Sequence, residues 1–504
     1  MTGHPGMRRR LRGHPLVVAC VFCAYAAVGR AENLDLPTMF RKGIPRSPFI
    51  SVVYRYADTM LQHGRDRYGP QKTGLLLSAL DRKTLSPLKT RPAAPRGVPA
   101  AIRPGPRGGP LAGANPQTDQ NVLRLLYFLV GLSGEDRYGK AADDALRWFL
   151  KNAASPQTGM LPWDEHRCWN VLSDEIAAGA GRSGNPFRGP WMLWERCFQL
   201  APEQSKRFAV GLRKRCLPDR GAAGQDRHVD SRYASPLPPA DCPRQVGFFV
   251  RTWAEAYAHT NDEESLGAIR ALLTRCERLR PATMQSARSG PAPVEVGPEL
   301  SLAIDCDGAA RKVPEPLRAR LTGFAARQDR FFCSLPHDLR DKKGFLARVG
   351  PAAADAGSAR TPPWGAQHGR YTTAAIAMMC VSRYENTGRT AYRDLIVAAA
   401  EVYMDSLPGD STDAWPLTFG HAISLELAAF RATAQRKYHD RAFRLGEVAV
   451  ERFFGDNPLP RASLKTDHYE STTGAGTLLL ALAELHLSTL HITAVRAPAN
   501  TMDR

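Results

Sequence analysis

The sequence predicts an all-α protein of six or seven helical hairpins closed into an α/α toroid. Three observations lead there. A unit of apolar helix, short polar turn and second helix recurs along the chain, the units are separated by long Pro/Gly-rich segments of unequal length, and β-type alternation is sparse.

The first unit runs over 121–132, turns through Ser133-Gly134-Glu135-Asp136-Arg137 and returns over 138–150. Val122, Leu125, Leu126 and Leu129 follow the i, i+3, i+4, i+7 spacing that lines one face of a helix. A second unit occupies 246–259 and 263–279 about Thr260-Asn261-Asp262. A third occupies 374–385 and 392–404 about Asn386-Thr387-Gly388-Arg389, and a fourth 422–433 and 438–453. Gly134 and Gly388 each stand four positions before a tyrosine, Tyr138 and Tyr392. Glycine permits the positive φ at which a helix ends, and the tyrosine is placed to pack back onto its neighbours. Further helices over 50–62, 204–215, 317–335 and 477–490 bring the expected total to about 12 to 14.

Short turns make the two helices of a unit antiparallel neighbours, and a pair with exposed apolar faces must stack on further pairs. A solenoid would repeat near-uniformly, at about 34 residues in the tetratricopeptide case. Here the segments 89–116, 218–244, 281–298 and 349–370 interrupt the pattern. Loops of that length are functional or disordered, and a ring with elaborated loops on one face accommodates them.

The N-terminus carries Arg8, Arg9, Arg10 and Arg12, an apolar run over 16–28, and the small-residue site Val28-Gly29-Arg30-Ala31. That order is a secretory signal peptide, and the apolar run is short of the ~20 residues of a membrane span. A lipoprotein box at Val17-Val18-Ala19-Cys20 is a weaker reading, because it leaves an apolar stretch at the head of the mature chain. The expected organisation is a signal peptide over 1–31, an N-terminal extension over 32–48, the toroid over 49–490 and a tail over 491–504. The mature chain is expected to lack an integral membrane segment and to be secreted or periplasmic after cleavage near Ala31.

The net charge is +19, and the chain remains strongly basic once the arginines of the leader are discounted. A basic surface favours polyanions. For an exported protein the polyanion expected is a uronate or sulfate polysaccharide rather than nucleic acid. Two of the ten cysteines, Cys20 and Cys23, fall in the leader. The rest are widely spaced with no C-x-x-C pair, which argues against a zinc or iron–sulfur cluster held by thiolates. No nucleotide loop, H-E-x-x-H or G-x-S-x-G motif is present.

Particular blocks resemble a family. They are 56–70 with 80–84, Gly113-Ala114-Asn115-Pro116 with Asp119-Gln120-Asn121, and Ser155-Pro156-Gln157-Thr158-Gly159-Met160-Leu161-Pro162-Trp163. Pro190-Trp191-Met192-Leu193-Trp194-Glu195-Arg196 and Leu459-Pro460-Arg461-Ala462-Ser463 with Asp467-His468-Tyr469-Glu470 complete them. Together they are similar to exported bacterial proteins of planctomycete type, pectate-lyase-like or six-hairpin glycosidase-like, over about residues 50 to 490. Two positions depart from the family pattern: Asp164 replaces a glycine before Glu165-His166, and Gln245 stands where a histidine is expected. The resemblance implies a carbohydrate-active enzyme, first a polysaccharide lyase acting on a pectate-like uronate polymer by β-elimination. A six-hairpin glycoside hydrolase and a glycan-binding protein without activity are the alternatives, the last on account of Gln245. No cofactor is evident, and calcium enters only by analogy with pectate lyases, without a calcium-loop motif.

Candidate site residues lie between the helices. Trp163 beside Asp164, Glu165 and His166 suits a sugar, whose C–H faces stack on an aromatic while its hydroxyls meet polar groups; a capped helix start at Asp164 is the plainer alternative. β-Elimination needs a cation to neutralise the uronate carboxylate and a base near the α-proton. Arg232 or Arg244 can neutralise, His228 or Tyr233 can move the proton, and a solvated basic loop explains the same residues. Lys465, Asp467, His468, Tyr469 and Glu470 are the densest cluster, beyond what capping of the following helix by Glu470 or Ser471 requires. A hydrolase needs two carboxylates about 5 to 9.5 Å apart, with Asp119, Asp164, Glu165, Asp305 and Glu470 as candidates. The catalytic set expected is His166, Arg232, Tyr233, Arg244, His468 and Tyr469. Trp163, Asp164, Glu165, His228, Lys465 and Glu470 are expected to bind substrate.

Overall fold

The computed structural model describes residues 47–162, 167–178, 189–216, 243–280, 293–350, 360–490 and 497–498. Fourteen α-helices lie among the described residues. They are α1 (Pro48–Gln62), α2 (Gln120–Ser133), α3 (Asp136–Trp148), α4 (Trp194–Leu200), α5 (Pro202–Cys216), α6 (Pro243–Thr260) and α7 (Glu263–Leu279). The second half holds α8 (Val296–Ala310), α9 (Leu317–Cys333), α10 (Thr373–Thr387), α11 (Thr390–Tyr403), α12 (Pro416–Thr433), α13 (Arg436–Ala449) and α14 (Ala475–Thr489).

Burial divides the helices into two layers. Every residue of α12 over 418–429 and of α14 over 475–483 is buried, as befits helices enclosed on all sides. By contrast α3 buries only Tyr138, Ala141, Ala142, Ala145 and Leu146, and α13 only Tyr438, Ala442, Leu445, Gly446 and Ala449. Each of those sets lies on one helix face and leaves the rest to water.

Inner α2, α6, α8, α10 and α12 pair with α3, α7, α9, α11 and α13. The sixth pair is made by the two ends of the helical chain: α14 packs on α1 while also touching α12 and α2, which closes the α/α toroid. Between α3 and α6 the pair α4–α5 is irregular, with α4 only seven residues long and joined to α5 through Ala201. Two glycines permit the closest approaches at the seam. A Cβ on Gly476 of α14 would lie 3.0 Å from the Val122 nitrogen of α2, and one on Gly420 of α12 would lie 2.8 Å from the Thr477 carbonyl.

The turns behave as the sequence predicts, and one does so without glycine. Gly134 (φ 71°) and Gly388 (φ 67°) end α2 and α10 in the left-handed conformation, and Ala434 (φ 57°) ends α12 in the same way. The tyrosine that opens each following outer helix is buried and sends its hydroxyl to a carboxylate on the preceding outer layer. Tyr138 bonds Asp58 of α1, Tyr392 bonds Asp329 of α9, and Tyr438 bonds Glu401 of α11, at 2.7, 2.7 and 2.6 Å. These are staples between successive hairpins.

Among the described residues seven short strands tie the long connections together: β1 (Ala79–Leu80), β2 (Gly113–Ala114), β3 (Arg167–Asn170), β4 (Glu175–Ala178), β5 (Val294–Glu295), β6 (Arg348–Val349) and β7 (Tyr469–Glu470). All pair antiparallel, as β1–β7, β2–β3–β4 and β5–β6. Trp415 Nε1 donates to the Arg96 carbonyl and the His368 amide to the Gly97 carbonyl. The segments before α2, α8, α10, α12 and α14 thereby share one face, where those inner helices begin.

Two helices went unforeseen. In α8 the sequence Val296-Gly297-Pro298-Glu299 opens a helix buried almost all round, so no polar contrast marks its length. The other, α4, is too short to show a period. A third difference is that α12 starts at Pro416, ahead of the expected 422, because proline suits the first turn of a helix. No helix among the described residues is long and apolar enough to cross a membrane.

Tyr392→Phe removes one hydrogen bond from Asp329, which stays buried against Arg383. A loss of about 1–3 kcal/mol is expected in urea unfolding, and unchanged stability would show that the staple is incidental.

Candidate active site at the loop face

Strand β7 splits the densest sequence cluster between two faces, because successive side chains of a strand point to opposite sides. Glu470 pairs across the fold with Arg103 of the Pro/Gly-rich segment before α2. The guanidinium donates to Glu470 Oε2 from Nη2 at 2.8 Å and from Nε at 3.1 Å, while Nη1 donates to the Pro92 carbonyl at 2.7 Å. His468 Nε2 lies 2.8 Å from the same Oε2, and the Thr472 hydroxyl donates to Oε1 at 2.7 Å. All three main partners are buried: Arg103 4 %, His468 3 % and Glu470 1 % exposed. Burial pushes the Glu470 carboxyl up, but the hydrogen bonds from His468 and Arg103 and the arginine charge outweigh it and hold it at about 2.

Tyr469 points the other way, into the core, where its hydroxyl meets that of Tyr56 at 2.7 Å. Burial raises both phenols. Close by, Asp119 accepts from Ser78 Oγ at 2.7 Å, its Oδ1 makes no hydrogen bond of good geometry, and Ser471 is near without closing one. Burial pushes Asp119 up to about 6 against the pull of these hydroxyls. Lys465 is exposed, and its amide donates to Asp413 at 2.9 Å. Asp467 pairs with Arg82 and, at 3.4 Å, with Arg461. Glu470 and Ser471 do not cap α14 with their side chains; its N-cap is Gly474.

Arg244 stands in the first turn of α6. Its Nε donates to the Tyr371 hydroxyl at 2.7 Å, with the guanidinium carbon 4.5 Å from the ring centre. Tyr371 immediately precedes the Thr372 cap of α10, and its ring fills the space beside Gly297 at the start of α8, where a Cβ would come within 2.3 Å. Three inner-helix starts therefore converge on this half-buried pair. Sequence reasoning missed Tyr371; its only signal is an aromatic directly before a helix cap. Gln245, next to Arg244, is buried.

Trp163, Asp164, Glu165, His166, His228, Arg232 and Tyr233 lie outside the described residues. The chain returns at Arg167, whose carbonyl accepts from Asn115 Nδ2 at 2.9 Å beside β2. Of the carboxylates considered for hydrolysis, Asp119, Asp305 and Glu470 are all buried, Asp305 in α8 with Arg251 at 3.7 Å. Calcium needs six to eight oxygen ligands. Among the described residues no group of three carboxylate, imidazole or thiol ligands lies at the loop face.

Residues 105–207 match the model of a family described as periplasmic pectate lyase. The segment so matched includes Asp119, α2, α3 and β3, and it bears out the pectate-lyase-like resemblance read from the sequence. It supports a carbohydrate-active enzyme. Solved structures similar to this chain include a D-mannose isomerase (8% identity, 89% of this chain and 100% of that one, TM-score 0.46). A cellobiose 2-epimerase from Bacillus thermoamylovorans follows (10%, 86% and 99%, 0.44), with an α-1,6-mannanase from Salegentibacter (8%, 86% and 98%, 0.41). What those proteins act on does not pass to this chain at such distance.

Glu470 is held below its unfolded value of 4.5, so it adds stability above that value and loses it as pH falls toward about 2. Glu470→Gln leaves Arg103 buried without its counter-charge and is expected to cost about 3–5 kcal/mol at pH 7. In urea unfolding the gap between wild type and variant should narrow at pH 3; an equal gap at both pH values would deny the ionic origin.

Proposed function

We propose that the chain is an exported polysaccharide lyase that cleaves a uronate-containing, pectate-like polymer by β-elimination. The observation that carries this reading is the Arg244–Tyr371 pair, a fixed cation and a phenol in hydrogen-bond contact where inner helices begin. Helix N-termini bear partial positive charge, which favours an anionic chain over a neutral one. The basic composition and the pectate lyase match over 105–207 agree with it.

In this reading Arg244 binds the C5 carboxylate of the uronate and stabilises the charge that spreads onto it as the C5 proton leaves. Tyr371 is within reach of the same carboxylate and takes that proton or returns one to the departing O4. The C5–H and C4–O4 bonds break, a C4–C5 double bond forms, and the proton ends on the leaving oxygen. Trp163 to His166, His228, Arg232 and Tyr233 are proposed to complete the sugar site. His468, Tyr469 and Glu470 are proposed to position the loops rather than to touch substrate, since they are buried. Lys465 is proposed as a contact to the polymer. The leader over 1–31 is proposed to send the chain to the periplasm or beyond.

The full mature chain is incubated with polygalacturonate and other polyuronates, with calcium and with chelator. Near-ultraviolet absorbance from the new double bond is expected. Tyr371→Phe should lower kcat by roughly 10²- to 10⁴-fold with melting unchanged. Reducing ends without absorbance would make the protein a hydrolase. Binding without any product would make it a glycan-binding protein, the outcome that Gln245 would favour.

A further inference from the structure

We infer that Glu195, Glu255 and His259 form a binding site for a divalent transition ion of the zinc type, at the C-terminal ends of α6 and α8 and apart from the loop face. Glu255 and His259 are four residues apart on α6 and so stand on one helix face. Glu195, from the first turn of α4, completes the group. One ligand atom from each lies within 4.8 Å of the others, and His259 Nε2 is 3.2 Å from Glu195 Oε2. Ligands at about 2.0–2.2 Å around one tetrahedral ion stand some 3.3–3.6 Å apart, so little movement is needed.

Two further observations point to a cation. Glu255 is 8 % exposed, and its Oε2 faces the group without a hydrogen bond. Such a carboxylate is costly to bury without a positive partner. The chain supplies one from outside: Lys312, beyond the end of α8, brings its ammonium to 3.3 Å from Glu255 and 3.6 Å from Glu195. A tethered cation therefore already lies between the two carboxylates. Its side chain is 35 % exposed and free to swing into solvent when an ion takes its place. The imidazole is fixed by Phe198, whose ring stacks on it at 4.5 Å and 9°.

Two carboxylates and an imidazole suit zinc or its neighbours and not the all-oxygen shell of calcium. The ion would join α4 to α6, clasping the one irregular pair into the ring.

The test uses full-length protein stripped with chelator and dialysed, titrated with zinc chloride in a calorimeter. Saturable 1:1 binding and a rise in melting temperature are expected. His259→Ala, at the surface, and Glu255→Gln should each weaken binding at least tenfold, with helicity checked by circular dichroism. Lys312→Met should tighten it severalfold by removing the competing ammonium. No saturable binding, or variants at 195, 255 and 259 that bind as wild type, would overturn the site. An unchanged or weaker affinity in Lys312→Met would overturn the exchange of ammonium for metal.

Discussion

Helix α14 is buried on every side over 475–483, and Leu485 and Leu487 follow. A helix like that must be enclosed, and the surfaces that enclose it come from α12, α2 and α1. The last of the described helices is covered by the first, with Ser47 Oγ 2.9 Å from His486 Nδ1. Ring closure thus follows from apolar burial, which stabilises by about 25 cal/mol per Å² removed from water. An open superhelix of the same hairpins would leave α14 and the facing side of α2 wet.

Closure decides where chemistry can sit. Each short turn leaves an inner helix for its outer partner, and each long connection brings the chain back to start the next inner helix. The described parts of the long segments therefore collect on one face, where they pair with one another through β1–β7, β2–β3 and β5–β6. Arg103 and Glu470, 367 residues apart in sequence, become neighbours there. Because the pair is buried, each charge needs the other, and the segments that carry them are held to one geometry. The half-buried Arg244–Tyr371 pair shares this face but keeps contact with solvent, which is what separates a candidate site from the pillar beneath it.

Much of the fold was legible because hairpins advertise themselves. Glycine before a tyrosine marks the ends of α2 and α10, and one-faced apolar spacing marks the outer helices. The signal fails where its physical cause is absent. Helix α8 is buried on almost all sides and shows no periodic contrast, and Ala434 adopts the turn conformation without glycine. The site was less legible for a related reason. The run from Lys465 to Glu470 drew notice by its density, but a strand throws neighbouring side chains to opposite faces, so Tyr469 enters the core while Glu470 meets Arg103. Arg103 itself sits unmarked among prolines and glycines, and Tyr371 carries no motif. Their partners are set by ring closure, which no local pattern encodes.

Two buried glutamates show what this architecture does to acids. Glu470, ringed by Arg103 and His468, is held at about 2. Glu426 in α12 has both carboxylate oxygens without a hydrogen bond, and burial pushes it up to about 9, against the weaker opposing pull of Arg441. The first is held toward the ionised form and the second toward the neutral form, and both are buried away from solvent. Asp119, at about 6, has the right proton affinity but is sealed behind Ser78 and β7. A glycoside hydrolase needs an acid and a base side by side at the sugar; these three carboxylates are buried, and Asp164 and Glu165 lie outside the described residues. Among the groups that the described loop face presents to solvent is a guanidinium against a phenol, at the mouths of helices whose dipoles favour anions. That combination is what the proposed elimination rests on.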